Sequence, residues 1–212
     1  MKFTQEELHA IWHKVPVDYY QKGVKNNILQ RLWHRGKLVA VASLVNENTK
    51  KILDVGCASG WFLHMLSKKF PNAKCVGIDS YKDAIMYGKK KYKNLTLVDA
   101  DGHKIPFSDE SFDLVICTEM LEHVLDPNKV IQEIKRVLKP DGLAVIEMDS
   151  GNMLFRLIWY WWTNMRNGVW KDSHIQPFTA SKLEGIIKKG GLKIKKKKNF
   201  NFTMAVAFQI KK

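Results

Sequence analysis

The sequence predicts an α/β fold built on a doubly wound, Rossmann-like sheet. Short, almost wholly apolar runs recur through the middle of the chain, and amphipathic helical segments separate them. Such runs suit strands that are buried on both faces of a parallel sheet, and their alternation with helices across short links is typical of this architecture. The length of 212 residues allows one complete core, and a second full domain would be cramped.

Residues 4–45 are predicted to be helical. Apolar residues recur at three- and four-residue spacing in both EELHAIWHKV and NNILQRLWHRGKLVAVASLV, which is the pattern of amphipathic helices. Pro16 and Gly23 are expected to separate these two helical segments from each other. We therefore assign residues 1–48 to an N-terminal helical cap and residues 49–212 to a larger α/β domain.

Five strands are predicted to follow, one for each apolar run. They are KILDVGC (51–57), AKCVGID (73–79), LTLVDA (95–100), FDLVICT (112–118) and LAVIEMD (143–149). Three amphipathic segments between them are predicted to be helices. These are GWFLHMLSKKF, YKDAIMYGKKKY and NKVIQEIKRVLKP, the last of which ends at the turn PDG.

The C-terminal quarter is predicted to complete the sheet. TASKLEGIIKKGG is typical of a helix, with Thr179 as its N-cap and glycines at its end. The last two apolar runs, LKIKKKKNF and MAVAFQIKK, are expected to pair as antiparallel strands.

Composition excludes several classes of protein. Hydrophobic residues make up 45% and charged residues 26% of the chain, as in ordinary soluble domains. Cys57, Cys75 and Cys117 lie in apolar runs without C-x-x-C spacing, which argues against a disulfide framework and favours a reducing, cytoplasmic setting. No export signal is visible at the N-terminus, and no apolar run approaches the roughly 18 residues that a membrane-spanning helix needs.

The formal charge of +14 is unevenly distributed along the chain. Residues 151–212 hold 13 Lys and Arg against 2 acidic residues, whereas residues 1–150 hold 22 against 19. This asymmetry indicates contact with something anionic, such as nucleic acid, a phospholipid surface or a phosphorylated substrate. The alternative is a solvated edge strand that its lysines protect from aggregation.

The ends of the first three predicted strands carry residues suited to a nucleoside ligand. Gly56 and Gly60 permit a tight turn and close approach of a ligand to the backbone. Ala58 replaces the second glycine of a dinucleotide fingerprint, which counts against an NAD enzyme. Asp79 ends the second strand and suits both hydroxyls of a ribose. Asp101 follows the third strand and is placed to accept a hydrogen bond from an adenine amino group.

Together these stretches resemble the class I S-adenosylmethionine-dependent methyltransferases, in particular the group with the ubiquinone/menaquinone-type methyltransferase domain. The resemblance rests on ILDVGCASGWFLHMLSKKFPNAKCVGID, DADGHKIPFSDESFDLVICTEMLEHVLDP and EIKRVLKPDGLAVIE, which cover residues 51–149 nearly without gaps. It implies a seven-stranded sheet whose last strand is antiparallel. It also implies S-adenosylmethionine as the cofactor and S-adenosylhomocysteine as its product.

The resemblance further implies eleven cofactor-binding residues, grouped by the part of the cofactor that each would meet. They are Asp54, Gly56, Cys57, Ala58 and Gly60 at the methionine moiety, Asp79 at the ribose, Ser80 and Tyr81 beside the adenine, Asp101 and Gly102 at the adenine edge, and Thr118 toward the sulfonium.

The stretch CTEMLEHVLDP places Glu119, Glu122 and His123 at i, i+3 and i+4, so a helical turn would bring them to one face. EMLEH is similar to the E-x-x-E-H pattern of ubiquinone-pathway O-methyltransferases and of a small-RNA 2′-O-methyltransferase family, where these residues bind a divalent metal. Such a metal would activate an acceptor hydroxyl, with His174 as a further ligand. The three residues are our catalytic candidates, with His123 as proton acceptor. A metal is the less favoured hypothesis, and local hydrogen bonding at a strand end is the structural alternative.

The aromatic segment MLFRLIWYWWTNMRNGVW (153–170) lies within a predicted substrate lid at residues 151–177. Trp159, Trp162 and His174 are the candidate substrate residues. The segment suits a cover over an apolar acceptor or an amphipathic helix on a membrane surface. The alternative is an aromatic face that packs against Trp12 and Trp33.

These observations predict methyl transfer from S-adenosylmethionine to a small-molecule or lipid-like acceptor, at oxygen, by a cytoplasmic protein with peripheral membrane contact as a further expectation. An RNA methyltransferase that uses the basic C-terminal quarter is one alternative. It is less favoured because KIKKKK is predicted to lie on a strand and lacks interleaved stacking residues. A non-catalytic S-adenosylmethionine-binding module is the other.

Overall fold

The structure is a computed structural model and describes residues 4–165 and 179–212. One sheet of seven strands lies at its centre. The strands are β1 (Lys51–Val55), β2 (Lys74–Asp79), β3 (Thr96–Asp99), β4 (Phe112–Thr118), β5 (Leu138–Asp149), β6 (Lys193–Phe200) and β7 (Ala205–Lys211). Their order across the sheet is β3-β2-β1-β4-β5-β7-β6.

The first five strands are mutually parallel, and β7 is antiparallel to both of its neighbours, β5 and β6. This confirms the doubly wound sheet, the seven strands and the antiparallel closing pair. Strand β1 has β2 on one side and β4 on the other, so the winding direction reverses there. In open sheets of this kind, ligands bind outside the carboxyl ends of the strands at the point of reversal.

Helices flank the sheet and precede it. Those in the described part of the chain are α1 (Gln5–Trp12), α2 (Tyr19–Asn26), α3 (Ile28–Ala42), α4 (Trp61–Ser67), α5 (Lys82–Lys91), α6 (Pro127–Val137), α7 (Met153–Met165) and α8 (Ala180–Lys189), with a 3-10 turn at Leu121–His123. No helix among the described residues has both the length and the apolar character needed to cross a membrane.

Alternate residues of the strands build two buried clusters, as the period of two along a strand requires. Leu53 and Val55 of β1 belong to a cluster shared with α6 and α8. Ile52 belongs to a second cluster shared with α4 and α5, and Val41 of α3 joins it. The third helix of the N-terminal segment therefore packs on the same core as the sheet.

A further helix, α2, begins in the stretch that was expected to separate two helical segments, and Gly23 lies inside it. The chain breaks instead at Asn27, which has an extended backbone. The Asn27 side chain accepts hydrogen bonds from the backbone N–H groups of Leu29 and Gln30 and thereby caps α3. A glycine costs a helix only about 1 kcal/mol, whereas an asparagine N-cap satisfies donors that would otherwise lack partners.

Strand β5 also begins earlier than predicted. The helix α6 ends at Val137, and Leu138 already pairs with Phe112 of β4, so the expected PDG turn lies within the twelve-residue strand. Pro140 accounts for the early end of the helix, because a proline disfavours helical backbone at the residue before it.

The lysine run at residues 195–198 lies on β6, at the edge of the sheet. Lys197 forms an ion pair of 2.9 Å with Glu184 of α8, and the ammonium group of Lys198 donates to the Ser43 hydroxyl at 2.7 Å. Charged side chains on an exposed edge strand discourage pairing with another chain. This placement favours the edge-strand alternative for these four lysines.

Candidate active site

A cleft lies at the carboxyl ends of β1, β2 and β4. Seven of the eleven predicted cofactor residues line it: Gly56, Ala58, Asp79, Ser80, Tyr81, Asp101 and Gly102. The segment around α1 and α2 contributes Trp12, Pro16 and Tyr20 to the lining of the cleft. The first two N-terminal helices therefore border the cleft, and the third packs on the core.

In the turn after β1, residues with no side chain or a small one leave the backbone accessible at the floor of the cleft. Gly56 and Ala58 both have left-handed backbone, with φ of 81° and 48°. The N–H groups of Gly56 and Cys57 both donate to the carbonyl oxygen of Ile78, at 2.9 and 3.0 Å, so β2 fixes the turn. A side chain at Gly56 would stand 2.8 Å from the Cβ of Met120, closer than real Cβ atoms approach. The glycine is therefore needed both for its conformation and for space.

Asp79 ties the end of β2 to this turn. Its Oδ2 accepts a hydrogen bond from the Ala58 N–H at 2.7 Å, and its Oδ1 accepts one from the Tyr81 N–H at 2.8 Å. Burial raises the pKa of the carboxyl group, and the two backbone donors only partly oppose this. Each carboxylate oxygen can accept a second hydrogen bond, so Asp79 is oriented and still able to bind hydroxyl groups.

Asp101 is paired with His103, which sequence reasoning did not single out. Its Oδ1 accepts from the His103 backbone N–H at 2.8 Å and lies 2.7 Å from His103 Nδ1. The Asp126 backbone N–H donates to His103 Nε2 at 3.3 Å. That bond leaves the ring proton on Nδ1, from which it is donated to Asp101. Both residues line the cleft, and their spacing of two was the signal available in the sequence.

The other four predicted cofactor residues lie outside the cleft wall. Cys57 is buried, with its sulfur packed over Gly77, and Gly60 precedes α4 as its N-cap. Thr118 ends β4 opposite Glu147 of β5, and the two residues after it, Glu119 and Met120, reach the cleft instead.

Asp54 is the fourth of them, and it is 1% exposed. Among the described residues its Oδ1 has no hydrogen-bond partner. Burial, followed by the nearby charge of Asp79, raises the pKa of its carboxyl group to about 7. The charge of Lys37 favours the ionised form of Asp54 but does not outweigh burial.

Met120 is a cleft residue that the sequence analysis missed. A side chain on Gly102 would stand 2.8 Å from the terminal carbon of Met120, and Gly56 faces the same side chain from the other side. Its thioether chain therefore lies across both glycines of the cleft floor.

The helical turn that would bring Glu119, Glu122 and His123 to one face does not extend over all three residues. Glu119 has a left-handed backbone, with φ of 47°, and the 3-10 turn includes only residues 121–123. The Glu119 carboxylate instead contacts Lys37 Nζ at 2.6 Å and accepts from Trp33 Nε1 at 3.1 Å. Among the described residues no group of three His, Cys, Asp or Glu side chains is arranged to hold a metal ion. The metal hypothesis for EMLEH therefore lacks structural support.

Lys37 of α3 lies at the centre of a buried charge cluster that sequence reasoning missed. The residue is 3% exposed, and besides Glu119 its ammonium group lies 3.7 Å from Glu147 of β5. Burial would lower the pKa of Lys37, but the two carboxylates outweigh it and raise that pKa. Glu119 is likewise held ionised, since Lys37 outweighs burial and lowers its pKa to about 2. The signal in the sequence was a charged residue within each of two apolar runs.

Three further carboxyl groups around Lys37 have the opposite shift. Burial and neighbouring carboxylates raise the pKa values of Glu147, Asp149 and Glu122. In the described part of the chain both Glu147 oxygens and the Oε2 of Glu122 lack hydrogen-bond partners. One lysine thus serves several buried acids, and only Glu119 is well paired.

A second cavity, of about 1320 Å³ with its open mouth included, lies beside the cleft between α2, α3 and α7. Its walls are largely aromatic, and the predicted lid residues Trp159 and Trp162 line it. Three carboxyl groups, those of Glu119, Glu122 and Asp149, are also part of its lining. The remaining lid candidate, His174, lies outside the described residues.

Tyr20, Glu119 and His123 line both the cleft and the second cavity. The two spaces therefore share a wall made of one phenol, one carboxylate and one imidazole. A polar ligand in the cleft and an apolar ligand in the cavity would meet at these three side chains.

Comparison with known proteins agrees with this geometry. A family profile described as a methyltransferase domain matches residues 53–146. The demethylmenaquinone methyltransferase of Staphylococcus aureus strain JH9 is 33% identical over 150 residues, which are 68% of this chain and 61% of that protein. The corresponding protein of Staphylococcus carnosus is 29% identical over 152 residues, with the same coverage. The chain thus spans about 61% of the length of these curated relatives.

Solved structures show the same fold at low identity. A S-adenosylmethionine-dependent methyltransferase from Thermotoga maritima superposes with a TM-score of 0.73 at 19% identity, over 95% of this chain and 99% of that one. The [4+2]-cyclase SpnF has the same TM-score at 17% identity, over 95% of this chain and 77% of its own. Fold alone does not define a reaction, but the sequence matches are specific. Residues 53–146 therefore belong to the methyltransferase domain family that the profile describes, and the sheet has the fold of S-adenosylmethionine-dependent methyltransferases of class I.

Proposed function

We propose that this protein transfers the methyl group of S-adenosylmethionine to an oxygen atom of a small, apolar or lipid-like acceptor. The observation that carries the proposal is the shared wall of Tyr20, Glu119 and His123 between a nucleoside-type cleft and an aromatic cavity. Methyl transfer needs two ligands held in line and shielded from water, and adjoining cavities provide this arrangement.

The cleft fits the cofactor in its charge and shape. Asp79 is fixed by two backbone donors and retains acceptor capacity for the ribose hydroxyls. Asp54 lies outside the cleft wall but only two residues before Gly56, and its unpartnered, buried Oδ1 suits the positive charge of the methionine moiety. Gly56 and Gly102 leave the floor bare except for Met120, whose flexible side chain can rotate aside. When bound, S-adenosylmethionine supplies a methyl group on a positively charged sulfur, which is a good leaving group.

The aromatic cavity supports an apolar acceptor. Tyr19, Trp33, Phe155, Trp159 and Trp162 all line it, and such surfaces bind apolar or aromatic groups while excluding water. Methyl acceptors that are themselves highly charged would lose hydration here without gaining partners, except at the carboxyl groups of the lining.

An acceptor hydroxyl must lose its proton, and His123 is the residue placed to take it. It lies on the shared wall, within reach of both ligands. A positive charge on His123 would favour the ionised form of Glu122. It lowers the pKa of that carboxyl group, whereas burial raises it. The proton would thus move from the acceptor oxygen to a ring nitrogen of His123, and the Glu122 carboxylate would stabilise the imidazolium.

The test is transfer of a labelled methyl group from S-adenosylmethionine into a lipid extract, with mass spectrometry of the labelled product. We expect label in the organic phase, as a methyl ether. Cofactor binding without transfer to any acceptor would instead identify a non-catalytic binding module. Label found at nitrogen or carbon would overturn the choice of oxygen alone.

Asp79→Ala tests the cofactor site separately. Loss of the charge-assisted hydrogen bonds to two hydroxyls should weaken S-adenosylmethionine binding by roughly 30-fold or more in calorimetry. Asp141→Ala is the matched control, because Asp141 is exposed near the opposite end of β5. Equal affinities of the wild type and Asp79→Ala would contradict the proposed cleft.

The RNA alternative gains no support from the described residues. The lysines at 195–198 lie on edge strand β6, and the described walls of the two cavities do not include them. Filter binding across a salt series tests it, since phosphate contacts make RNA affinity fall steeply with salt. A strong, salt-sensitive affinity would revive this alternative.

A further inference from the structure

The mouth of the aromatic cavity is surrounded by exposed apolar side chains from three separate elements. Leu29 and Leu32 come from α3, Ile158 and Trp161 from α7, and Phe202 from the loop between β6 and β7. Each lines the cavity, yet they are 56%, 55%, 43%, 44% and 85% exposed in that order. We call these five residues the apolar rim. Contiguous exposed apolar surface of this kind marks an interaction site more often than chance.

The loop that carries Phe202 is held in an unfavourable backbone conformation. Asn201, Phe202 and Thr203 have left-handed backbone in succession, with φ of 49°, 55° and 65°. Left-handed backbone at residues other than glycine costs on the order of 1 kcal/mol each. The result is a phenylalanine that is directed into solvent at the mouth of the cavity.

Two asparagines fasten this loop to both of the neighbouring helices. Asn201 Nδ2 donates to the Trp33 carbonyl oxygen of α3 at 3.0 Å. Asn152, just before α7, donates through Nδ2 to the Thr203 carbonyl oxygen at 2.9 Å. The three elements of the apolar rim are thus linked, and the strained loop has a fixed position in the rim.

The charged residues of the two helices that contribute to the apolar rim are all basic. Helix α3, ILQRLWHRGKLVAVA, and helix α7, MLFRLIWYWWTNM, contain no Asp or Glu. Arg31 and Arg35 are exposed and lie at helical spacing from Ile28 and Leu32, so arginine and apolar side chains share one stripe of α3. Exposed Arg156 adds a third guanidinium on α7. An apolar surface flanked by arginines complements an acyl-chain boundary under anionic headgroups.

We propose that the apolar rim docks on an anionic phospholipid bilayer, so that the mouth of the aromatic cavity opens toward the lipid phase. Leu29, Leu32 and Phe202 would enter the acyl boundary. Arg35 and Arg156 would remain at phosphate depth. Arg31, whose guanidinium group donates to the Val24 and Lys25 carbonyl oxygens, would add only its nearby charge. An apolar acceptor could then pass from the bilayer into the cavity without crossing water. The entry of an acceptor rests on the proposed function, whereas the docking itself does not.

The experiment is flotation of the full chain with vesicles of phosphatidylglycerol and, separately, of phosphatidylcholine. We expect the wild type to float with the anionic vesicles and to remain mostly unbound with the zwitterionic ones. Leu32→Glu and Phe202→Glu should each lower partitioning onto anionic vesicles on the order of tenfold, because each removes one large apolar side chain from the interface. Calorimetric affinity for S-adenosylmethionine, which binds in the cleft rather than at the rim, serves as the folding check.

Val39→Glu is the matched control. Val39 lies on the same helix and is 59% exposed, similar to Leu32, but it is outside the apolar rim. The control should float nearly as well as the wild type. If Val39→Glu loses as much partitioning as Leu32→Glu, general charge attraction explains the binding and the proposal fails. The proposal also fails if the wild type stays unbound with anionic vesicles. It fails likewise if the apolar rim proves to bind a second copy of this chain or another protein instead of the vesicles.

Failure of the docking proposal is distinguishable from failure of the proposed function. A protein that ignores vesicles yet methylates a detergent-dispersed apolar acceptor would overturn the docking alone. A protein that floats as expected yet transfers no methyl group would overturn the proposed function and leave the docking in place.

Discussion

Asp54 is a buried carboxyl group whose charge state should control cofactor affinity. Its pKa is raised to about 7 in the protein without ligand, and a positively charged ligand favours its ionised form. We therefore predict that the affinity for S-adenosylmethionine rises with pH between about 6 and about 8, because below this range binding must first displace a proton. Calorimetry in buffers of different ionisation enthalpy would measure that proton release.

The control for this prediction is Asp54→Asn, which removes the titrating group and keeps the shape. Its affinity should be lower and nearly independent of pH in the same range. A pH dependence that survives the substitution would assign the effect to another residue of the cleft.

His123 provides a second prediction at the level of single residues. If a ring nitrogen of His123 takes the proton of the hydroxyl group that is methylated, His123→Ala should lower kcat by roughly 100-fold or more. The affinity for S-adenosylmethionine should change little. His64→Ala is the matched control, because His64 lies on α4 and outside both cavities. A turnover number near the wild-type value would return His123 to a structural role.

At the scale of elements, α3 connects the N-terminal segment to the strands through one buried lysine. Lys37→Met would leave the Glu119 and Glu147 carboxylates without their cation, and the loss of one partner of a buried ion pair costs about 3–5 kcal/mol. Urea denaturation should show this loss. Lys25→Met, an exposed lysine of α2, should change the stability by less than about 0.5 kcal/mol.

The double variant Lys37→Met, Glu119→Gln separates charge from packing. Removing the better paired carboxylate together with the lysine should recover part of the lost stability, since fewer buried charges remain unpaired. If the double variant is less stable than the wild type by the sum of the two single effects, the two residues are not coupled and the ion pair is not the source of the loss.

The elements themselves were largely predictable, and the exceptions have physical causes. Apolar runs of strand length predicted β1 to β5 because parallel strands are buried on both faces, and this signal is local. Gly23 was a poor guide because a helix tolerates one glycine, whereas capping by Asn27 was decisive. The conformation of the EMLEH stretch could not be predicted, for a non-local reason. Glu119 binds Lys37, which is 82 positions away in the sequence, and periodicity carries no information about such a partner.

For the whole molecule, the buried acids predict how stability depends on pH. The Asp54 carboxyl group has a folded pKa of about 7 against an ordinary value of 3.8, so between these values the folded state binds more protons than the unfolded chain. Stability from this group is therefore lost as pH rises through about 7. Burial also lowers the pKa of His34 from 6.5 to about 4. Because the unfolded chain binds more protons at this residue between those two pH values, the contribution of His34 to stability rises with pH up to about 6.5.

Above about pH 6.5 the contribution of His34 is complete, and the carboxyl groups dominate. We predict that the free energy of unfolding of the ligand-free protein falls between about pH 6.5 and about pH 8, as Asp54 and the similarly shifted Glu147 ionise. Urea titrations across this range would measure it. Asp54→Asn should flatten the curve, and a stability that rises with pH over this interval would contradict the assignment.

The sequence predicted much of the cleft that we assign to the cofactor. It predicted little of the aromatic cavity that we assign to the acceptor. Residues at strand ends, such as Asp79 and Asp101, have positions that the sheet topology dictates. The aromatic cavity instead depends on how α2, α3 and α7 pack together, and on a loop between the last two strands. Tyr20 and Phe202 are 182 residues apart, so only the folded chain brings them to one cavity.

The thioether of Met120 across Gly56 and Gly102 has a consequence for the chemistry of ageing in this protein. All three cysteines are buried with raised pKa values, so their thiols are poor targets for peroxide. Met120 is partly accessible at the cleft, and its sulfoxide would be bulkier and polar. Oxidative inactivation should therefore begin at a methionine, be delayed by bound nucleoside, and be reversed by a methionine sulfoxide reductase rather than by a thiol reductant.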